Sequence, residues 1–211
     1  MYKSNYLIYC IVYVLCYLVG AIPVGLWIGK YHRKDIRLLG SKNIGSSNVT
    51  RILGLKYGFL TFLLDFLKGF LPIFIVNTLN PNLNNWRNQR IFLGMFSILG
   101  QMFSIFNRFQ GGKAIATSVG VVTGISPWIG LLGIILFIIL VIICKYASLA
   151  SLISTLLVNI SLYIETKTSP CSNIQTIELI VIFLITILIF VKHYRNIINL
   201  LNKKENKLTF N

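Results

Sequence analysis

The sequence predicts an all-α protein built as a polytopic bundle of transmembrane helices, and three observations carry that prediction. Its residues are 55% hydrophobic and only 12% charged, where soluble domains carry about a quarter charged residues. The apolar residues fall into continuous runs, at about 6–29, 55–76, 91–107, 114–126, 128–144, 147–164 and 174–192. No run alternates polar and apolar positions as a barrel strand would, and lipid admits only helices or closed barrels because each backbone N–H and C=O needs an internal partner. Seven transmembrane helices in one domain over residues 1–211 follow, with no room for a separate soluble unit.

Each run has its own logic. The first is preceded only by Lys3, lacks a small-residue cleavage site and continues to Ile28, so it reads as a retained helix and not a signal peptide. Pro23 and Gly25 are expected to bend it near its end, because proline removes a helical hydrogen bond and clashes with the preceding turn. The second run contains Asp65 and Lys68, three apart on one helical face. Charges in such a span are costly unless paired or turned to a polar interior, which predicts a structural role for both. The runs at 6–29, 55–76 and 174–192 reach the roughly 20 residues a crossing needs, whereas 114–126 is short and depends on its neighbours.

Lys and Arg fix the expected orientation. Lys30, Arg33, Lys34, Arg37, Lys42, Arg51 and Lys56 follow the first run, Arg108 and Lys113 the third, Lys145 the fifth, and Lys192, Arg195, Lys203, Lys204 and Lys207 the last. The other side holds Lys3, Arg87, Arg90 and Lys167. By the positive-inside rule the first group is cytoplasmic, the N-terminus outside and the C-terminus inside, which an odd number of spans satisfies. The net charge of +15 is thus interspersed between apolar spans and forms no basic reading face, which excludes nucleic acid as a partner and points to the lipid bilayer and to anionic substrates. Cys10, Cys16, Cys144 and Cys171 show no metal-ligand spacing. Carboxylates are scarce, namely Asp35, Asp65, Glu165, Glu178 and Glu205, so neither a metal nor another cofactor is expected; a magnesium-dependent phosphotransferase would gather several carboxylate oxygens.

All the motif-like polar stretches lie on the cytoplasmic side. Gly40 to Arg51 packs two glycines, three serines and two asparagines between cations, a composition that offers N–H and hydroxyl donors to an anion and that also suits an ordinary loop. Gly111-Gly112-Lys113 opens a short span through Thr117, in outline a phosphate cradle with one full positive charge. It is not a Walker A motif, since Ala114 follows the lysine and the upstream glycine is absent. His193 and Asn196 project together if the last helix continues past its span, and Ser148 and Ser151 open the sixth span from the same face. Arg51, Lys113 and either Lys68 or Arg108 would supply three cations able to neutralise more than one phosphoryl group.

Taken together, these stretches resemble the bacterial membrane acyl-phosphate:glycerol-3-phosphate acyltransferase family, PlsY. Gly40 to Arg51 is similar to its Gly-Ser-Gly-Asn-x-Gly-Ala-Thr-Asn-x-x-Arg signature, Phe109 to Thr117 to Phe-x-Gly-Gly-Lys-Gly-Val-Ala-Thr, and His193 to Glu205 to His-x-x-Asn-Ile-x-Arg-Leu-x-x-Gly-x-Glu. Lys42, Ala114 and Lys203 stand where those patterns have glycine, Ser46-Ser47 where they have Ala-Thr, and Asn199 where they have arginine. A Gly-His-x-x-Pro run common before the second signature appears here as Gly100, Gln101 and Ser104, without the histidine.

The resemblance implies transfer of a fatty acyl group from acyl phosphate to the 1-hydroxyl of sn-glycerol 3-phosphate, giving lysophosphatidic acid and phosphate, the first acylation of phospholipid biosynthesis. It implies a multi-pass monomer of the bacterial cytoplasmic (inner) membrane with its active site on the cytoplasmic face. Ser41, Arg51, Lys113, His193 and Asn196 are the expected catalytic set. Ser41, Ser47 and Arg51 would hold one phosphate, Gly111, Gly112 and Lys113 the glycerol phosphate side, and His193 and Asn196 would orient glycerol 3-phosphate with help from Ser148 or Ser151. Asn43, Gly45, Asn48 and Thr117 complete the substrate-binding set, and Glu205 is expected to be structural, tying the tail to a cation. Either His193 or a phosphate oxygen of the donor accepts the hydroxyl proton; a covalent acyl-Ser41 route lacks a His-Asp partner near it in sequence. A transporter of a small phosphorylated anion is the competing function, and predicts polar residues deep in several spans with access from both faces; a non-catalytic scaffold would not need Ser41, Arg51, Lys113 and His193 together.

Overall fold

The computed structural model describes residues 3–79, 84–169 and 174–208, and among them it is helical with no strand. In chain order the helices are α1 (Lys3–Ala21), α2 (Val24–Tyr31), α3 (Ser46–Leu53), α4 (Leu55–Leu79), α5 (Asn84–Met102), α6 (Ile115–Ile125), α7 (Pro127–Cys144), α8 (Ala147–Thr168), α9 (Thr176–Lys192) and α10 (Tyr194–Leu201), with a single 3₁₀ turn at Ile105–Asn107. Cys171 lies outside the described residues.

Among the described residues five spans are long and apolar enough to cross a membrane, Tyr6–Tyr31 (α1 with α2), Leu55–Thr78, Asn88–Asn107, Pro127–Cys144 and Ala147–Thr168. A sixth arises if α9 and α10, bent by 56° to one another, count as one. The 114–126 run does not yield a helix that crosses alone. Its α6 has 11 residues, about 16 Å at 1.5 Å per residue, against a hydrocarbon core about 30 Å thick. The expected bend in the first run is present, with α1 ending at Ala21 and Pro23 capping α2.

α6 is short but central. A Cβ on Gly69 of α4 would fall 2.1 Å from the Thr117 carbonyl, and one on Gly120 of α6 would fall 2.1 Å from the Phe66 carbonyl. This reciprocal pair lets the two backbones touch, the small-residue contact by which helices associate without a hydrophobic driving force. Ile73, Ile98, Val121, Leu162 and Ile189 fill the core around that crossing.

Two buried polar clusters brace the bundle. In the middle of α4, Lys68 Nζ lies 2.6 Å from Asp65 Oδ1 and donates to Gln101 Oε1 of α5 at 2.8 Å and to the Ile22 carbonyl at the α1–α2 break. Gln101 Nε2 returns a bond to Asp65 Oδ2 at 3.0 Å, and Thr117 Oγ1 of α6 donates to the Asp65 carbonyl at 3.0 Å. Both charges are thereby paired and hydrogen-bonded, as burial demands. At the other end of the helices, Arg90 of α5 grips Glu178 of α9 through Nε (2.6 Å) and Nη2 (2.9 Å), and Asn77 of α4 donates to the Gly124 carbonyl at 2.9 Å.

Three of the departures from the motif glycines sit where the backbone is left-handed: Lys42 has φ 57°, Ala114 φ 57° and Lys203 φ 56°. A side chain with a Cβ is strained there and glycine is not. Each of Lys42→Gly, Ala114→Gly and Lys203→Gly is therefore expected to stabilise the protein by about 1 kcal/mol, raising Tm by about 2–4 °C. Thermal unfolding in detergent checks this; a lower Tm in any of the three contradicts the strain at that position.

Candidate functional site

A cavity of about 590 Å³ opens between α3, the segment before α6, the start of α8 and the α9–α10 bend. Ser41, Asn43, Gly45, Ser47, Arg51, Lys113, Ser148, Ser151, His193, Asn196 and Glu205 all line it, so the three motif stretches meet in one place. Its surface is mostly apolar, with Ile98, Val121, Val122, Phe137, Val158 and Ile185 among the walls, interrupted by Asp65, Gln101, Asn159 and Thr186.

The first loop is shaped by Asn48, which has no exposed surface. Its Oδ1 accepts from the Ser41 N–H at 2.8 Å, while Nδ2 donates to the Ile36, Leu39 and Asn43 carbonyls at 3.0, 3.2 and 2.8 Å. Asn43 Oδ1 accepts from the Gly45 N–H at 2.9 Å, and Gly45 caps α3. Asn48 therefore builds the loop and is not among the cavity residues, a correction to its expected substrate contact. The first turn of α3, Ser46 and Ser47, lines the cavity, and Arg51 follows on the same short helix.

Arg51 donates from Nε to the Lys207 carbonyl (3.1 Å), from Nη2 to the Asn206 carbonyl (2.9 Å) and from Nη1 to the Ser47 carbonyl (3.4 Å). Burial pushes its guanidinium below the ordinary arginine range, and the nearby Glu205 carboxylate opposes that shift. Lys113 Nζ donates to Asn196 Oδ1 at 2.6 Å. Burial lowers the Lys113 ammonium to about 8; Glu205 pulls it up and Arg51 pushes it further down. Two buried cations that share a cavity, one of which lowers the proton affinity of the other, form a site that an anion would complete.

The glycines before Lys113 act differently from expectation. Neither Gly111 nor Gly112 lines the cavity. A Cβ on Gly111 would sit 2.1 Å from the Gln101 carbonyl, and the Gly112 N–H donates to that same carbonyl at 2.9 Å. They let the turn lie flat on the end of α5 and so aim Lys113. Thr117 lines the cavity but is fully buried with its hydroxyl committed to the Asp65 carbonyl, which makes it a helix clamp.

Glu205 is bound to hydroxyl and amide, not to a cation. Its Oε1 accepts from Ser148 Oγ at 2.8 Å and from Asn196 Nδ2 at 2.7 Å. Asn196 is thus held between Lys113 and Glu205. Ser151 Oγ donates to its own helix at the Ala147 carbonyl, 2.8 Å away. His193 is buried, and its Nδ1 lies 2.8 Å from the Ile189 carbonyl, an arrangement that places the proton on Nδ1 and leaves Nε2 for a ligand. Of the cations considered, Lys68 is committed to the brace and neither it nor Arg108 is among the cavity residues. Leu208, buried and lining the cavity, was not anticipated; a lone leucine in a charged tail was the available signal.

Comparison with known proteins shows the family. The family described as glycerol-3-phosphate acyltransferase matches residues 10–203. A glycerol-3-phosphate acyltransferase of Phytoplasma australiense is 45% identical over 210 residues, covering 93% of each chain. One from Staphylococcus aureus (strain Newman) is 38% identical over 201 residues, covering 92% of this chain and 95% of the relative. The crystal structure of PlsY (YgiH), an integral membrane glycerol 3-phosphate acyltransferase, in its glycerol 3-phosphate form is similar with TM-score 0.83 and 35% identity over 95% of this chain and 96% of that one. Its lysophosphatidic acid form gives TM-score 0.80 over 94% of each. With its motifs gathered at one cavity and residues 10–203 matched by the family, the chain belongs to the glycerol-3-phosphate acyltransferase family.

Proposed function

We propose that this single-domain protein acylates the 1-hydroxyl of sn-glycerol 3-phosphate with a fatty acyl phosphate as donor, giving lysophosphatidic acid and inorganic phosphate. The observation that carries the proposal is a single cavity lined both by Arg51 and Lys113 and by a mostly apolar surface that includes Val121, Phe137, Val158 and Ile185. A fatty acyl phosphate is itself two-part, and glycerol 3-phosphate brings a second anion that must be held beside the first. Cations and N–H donors offset that repulsion and bring the reacting atoms within about 3–3.5 Å.

In this reading Arg51 with Ser41 and Ser47 holds one phosphate, and Lys113 with His193 and Asn196 holds glycerol 3-phosphate, Ser148 and Ser151 lining its berth. The 1-hydroxyl oxygen attacks the acyl carbonyl carbon, the carbon–oxygen bond to phosphate breaks, and phosphate leaves with the electron pair. An oxygen of that phosphate, held beside the reacting carbon by its own bond and by Arg51, also takes the hydroxyl proton. The chain would act as a monomer in the bacterial cytoplasmic membrane, N-terminus outside and C-terminus inside, with the cavity at the cytoplasmic face. Seven crossings result when α6, shielded from lipid by its close packing on α4, is counted as the fourth and α9 with α10 as the last. A transporter would need a second opening, and the mostly apolar surface of the cavity favours acyl-chain binding over passage of an anion.

Vesicles containing the protein should convert acyl phosphate and labelled glycerol 3-phosphate to lysophosphatidic acid, and should not use acyl-CoA directly. Lys113→Ala should lower kcat/KM by about 10²–10³; equal activity in the variant, or turnover with acyl-CoA alone, contradicts the proposal. A pH profile adds a second check. The Lys113 ammonium near 8 loses its proton as pH rises through that value, so kcat/KM for glycerol 3-phosphate should fall above about pH 8. Bound phosphate favours the charged form, so the fall in kcat should begin at higher pH; a kcat/KM flat from pH 7 to 9.5 would show that Lys113 charge is not needed.

A further inference from the structure

Arg51 is oriented by a part of the chain remote from its own motif. α10 ends at Leu201, Lys203 takes a left-handed conformation with φ 56°, and the tail turns back towards the bundle. It is then fastened twice. Glu205 Oε1 accepts from Ser148 and Asn196. Three residues later the Leu208 N–H donates to the Lys145 carbonyl at 2.8 Å, and the Leu208 side chain is buried against Val141, Ala147 and Ala150. Between these fastenings run Asn206 and Lys207, whose carbonyls accept from Arg51 Nη2 and Nε.

The donor inventory of Arg51 shows what this does. A guanidinium has five N–H groups in a fixed plane. The tail occupies the edge formed by Nε and Nη2, and Ser47 takes one N–H of Nη1. One N–H remains on each terminal nitrogen, the end-on fork that matches two oxygens of a phosphate. We propose that residues 204–208 form a strap that belongs to the anion site, and that Leu208 is the positioning residue which seats it and so fixes the direction of the Arg51 fork. The inference rests on the reading above, in which the phosphate of the acyl donor is the group the fork receives.

Titration calorimetry of a short-chain acyl phosphonate, a non-hydrolysable analogue of the acyl phosphate donor, binding to full-length protein in detergent tests this with four proteins: wild type, Leu208→Ala, Arg51→Ala and the double variant, alongside the conservative Leu208→Met. Leu208→Ala should weaken binding about ten-fold, the loss expected when a charge-assisted contact is misdirected. Leu208→Met should restore it, and the double variant should bind no worse than Arg51→Ala alone, because the leucine acts through the arginine. A merely structural leucine would lower Tm while leaving affinity unchanged, or would weaken binding equally in the presence and absence of Arg51; either result overturns the strap. Absence of binding by the wild-type protein would instead overturn the substrate reading, and the strap with it.

Discussion

Lys68 and Asp65 form an ion pair inside an apolar helix, and the cavity is built outward from it. A charge pair at that depth is tolerated only when its remaining donors and acceptors are met. Meeting them draws in Gln101 from α5, the Ile22 carbonyl where the first span breaks, and, through the Asp65 carbonyl, Thr117 from α6. Four segments are thereby held at one level. Gln101 then extends the brace, since its own carbonyl receives the Gly112 N–H and touches Gly111, which sets the turn that carries Lys113. The residue that replaces the histidine of the family pattern thus has all of its side-chain polar atoms engaged in architecture, and the proposed reaction does not require a base there.

Above the brace the dominant feature is a surplus of positive charge. Burial lowers both Arg51 and Lys113, Arg51 lowers Lys113 further, and the carboxylate that raises both is Glu205, whose Oε1 is shared by Ser148 and Asn196. One carboxylate thus faces two cations, which leaves a net positive charge in a cavity whose surface is mostly apolar. Such a site is unfavourable when empty and favourable when a phosphate enters, which is the differential a transferase of anionic substrates needs.

Much of this was legible in the order of residues. Hydrophobic runs marked the helices, Pro23 marked the break in the first of them, and the three polar stretches on one face marked the cavity, because each of these signals is local. What escaped depended on tertiary contact. The composition of Gly111-Gly112 suggested ligand approach, yet the close neighbour is the Gln101 carbonyl. Asn48 looked like a donor to substrate, but a side-chain amide with four main-chain partners within reach folds the loop instead. The 114–126 run shows the limit of hydropathy, for a buried helix sealed by Gly69 and Gly120 is as apolar as a span without being long enough for one. The left-handed conformations at Lys42, Ala114 and Lys203 account for glycine in the family patterns at those positions.

The central claim is that Arg51 and Lys113 receive a phosphate in one cavity. An experimental structure of the protein with glycerol 3-phosphate bound tests it most directly. Phosphate oxygens within about 2.7–2.9 Å of Arg51 or Lys113 nitrogens, with the glycerol carbons inside the cavity mouth, are expected. A phosphate seated elsewhere, out of reach of both side chains, would contradict it.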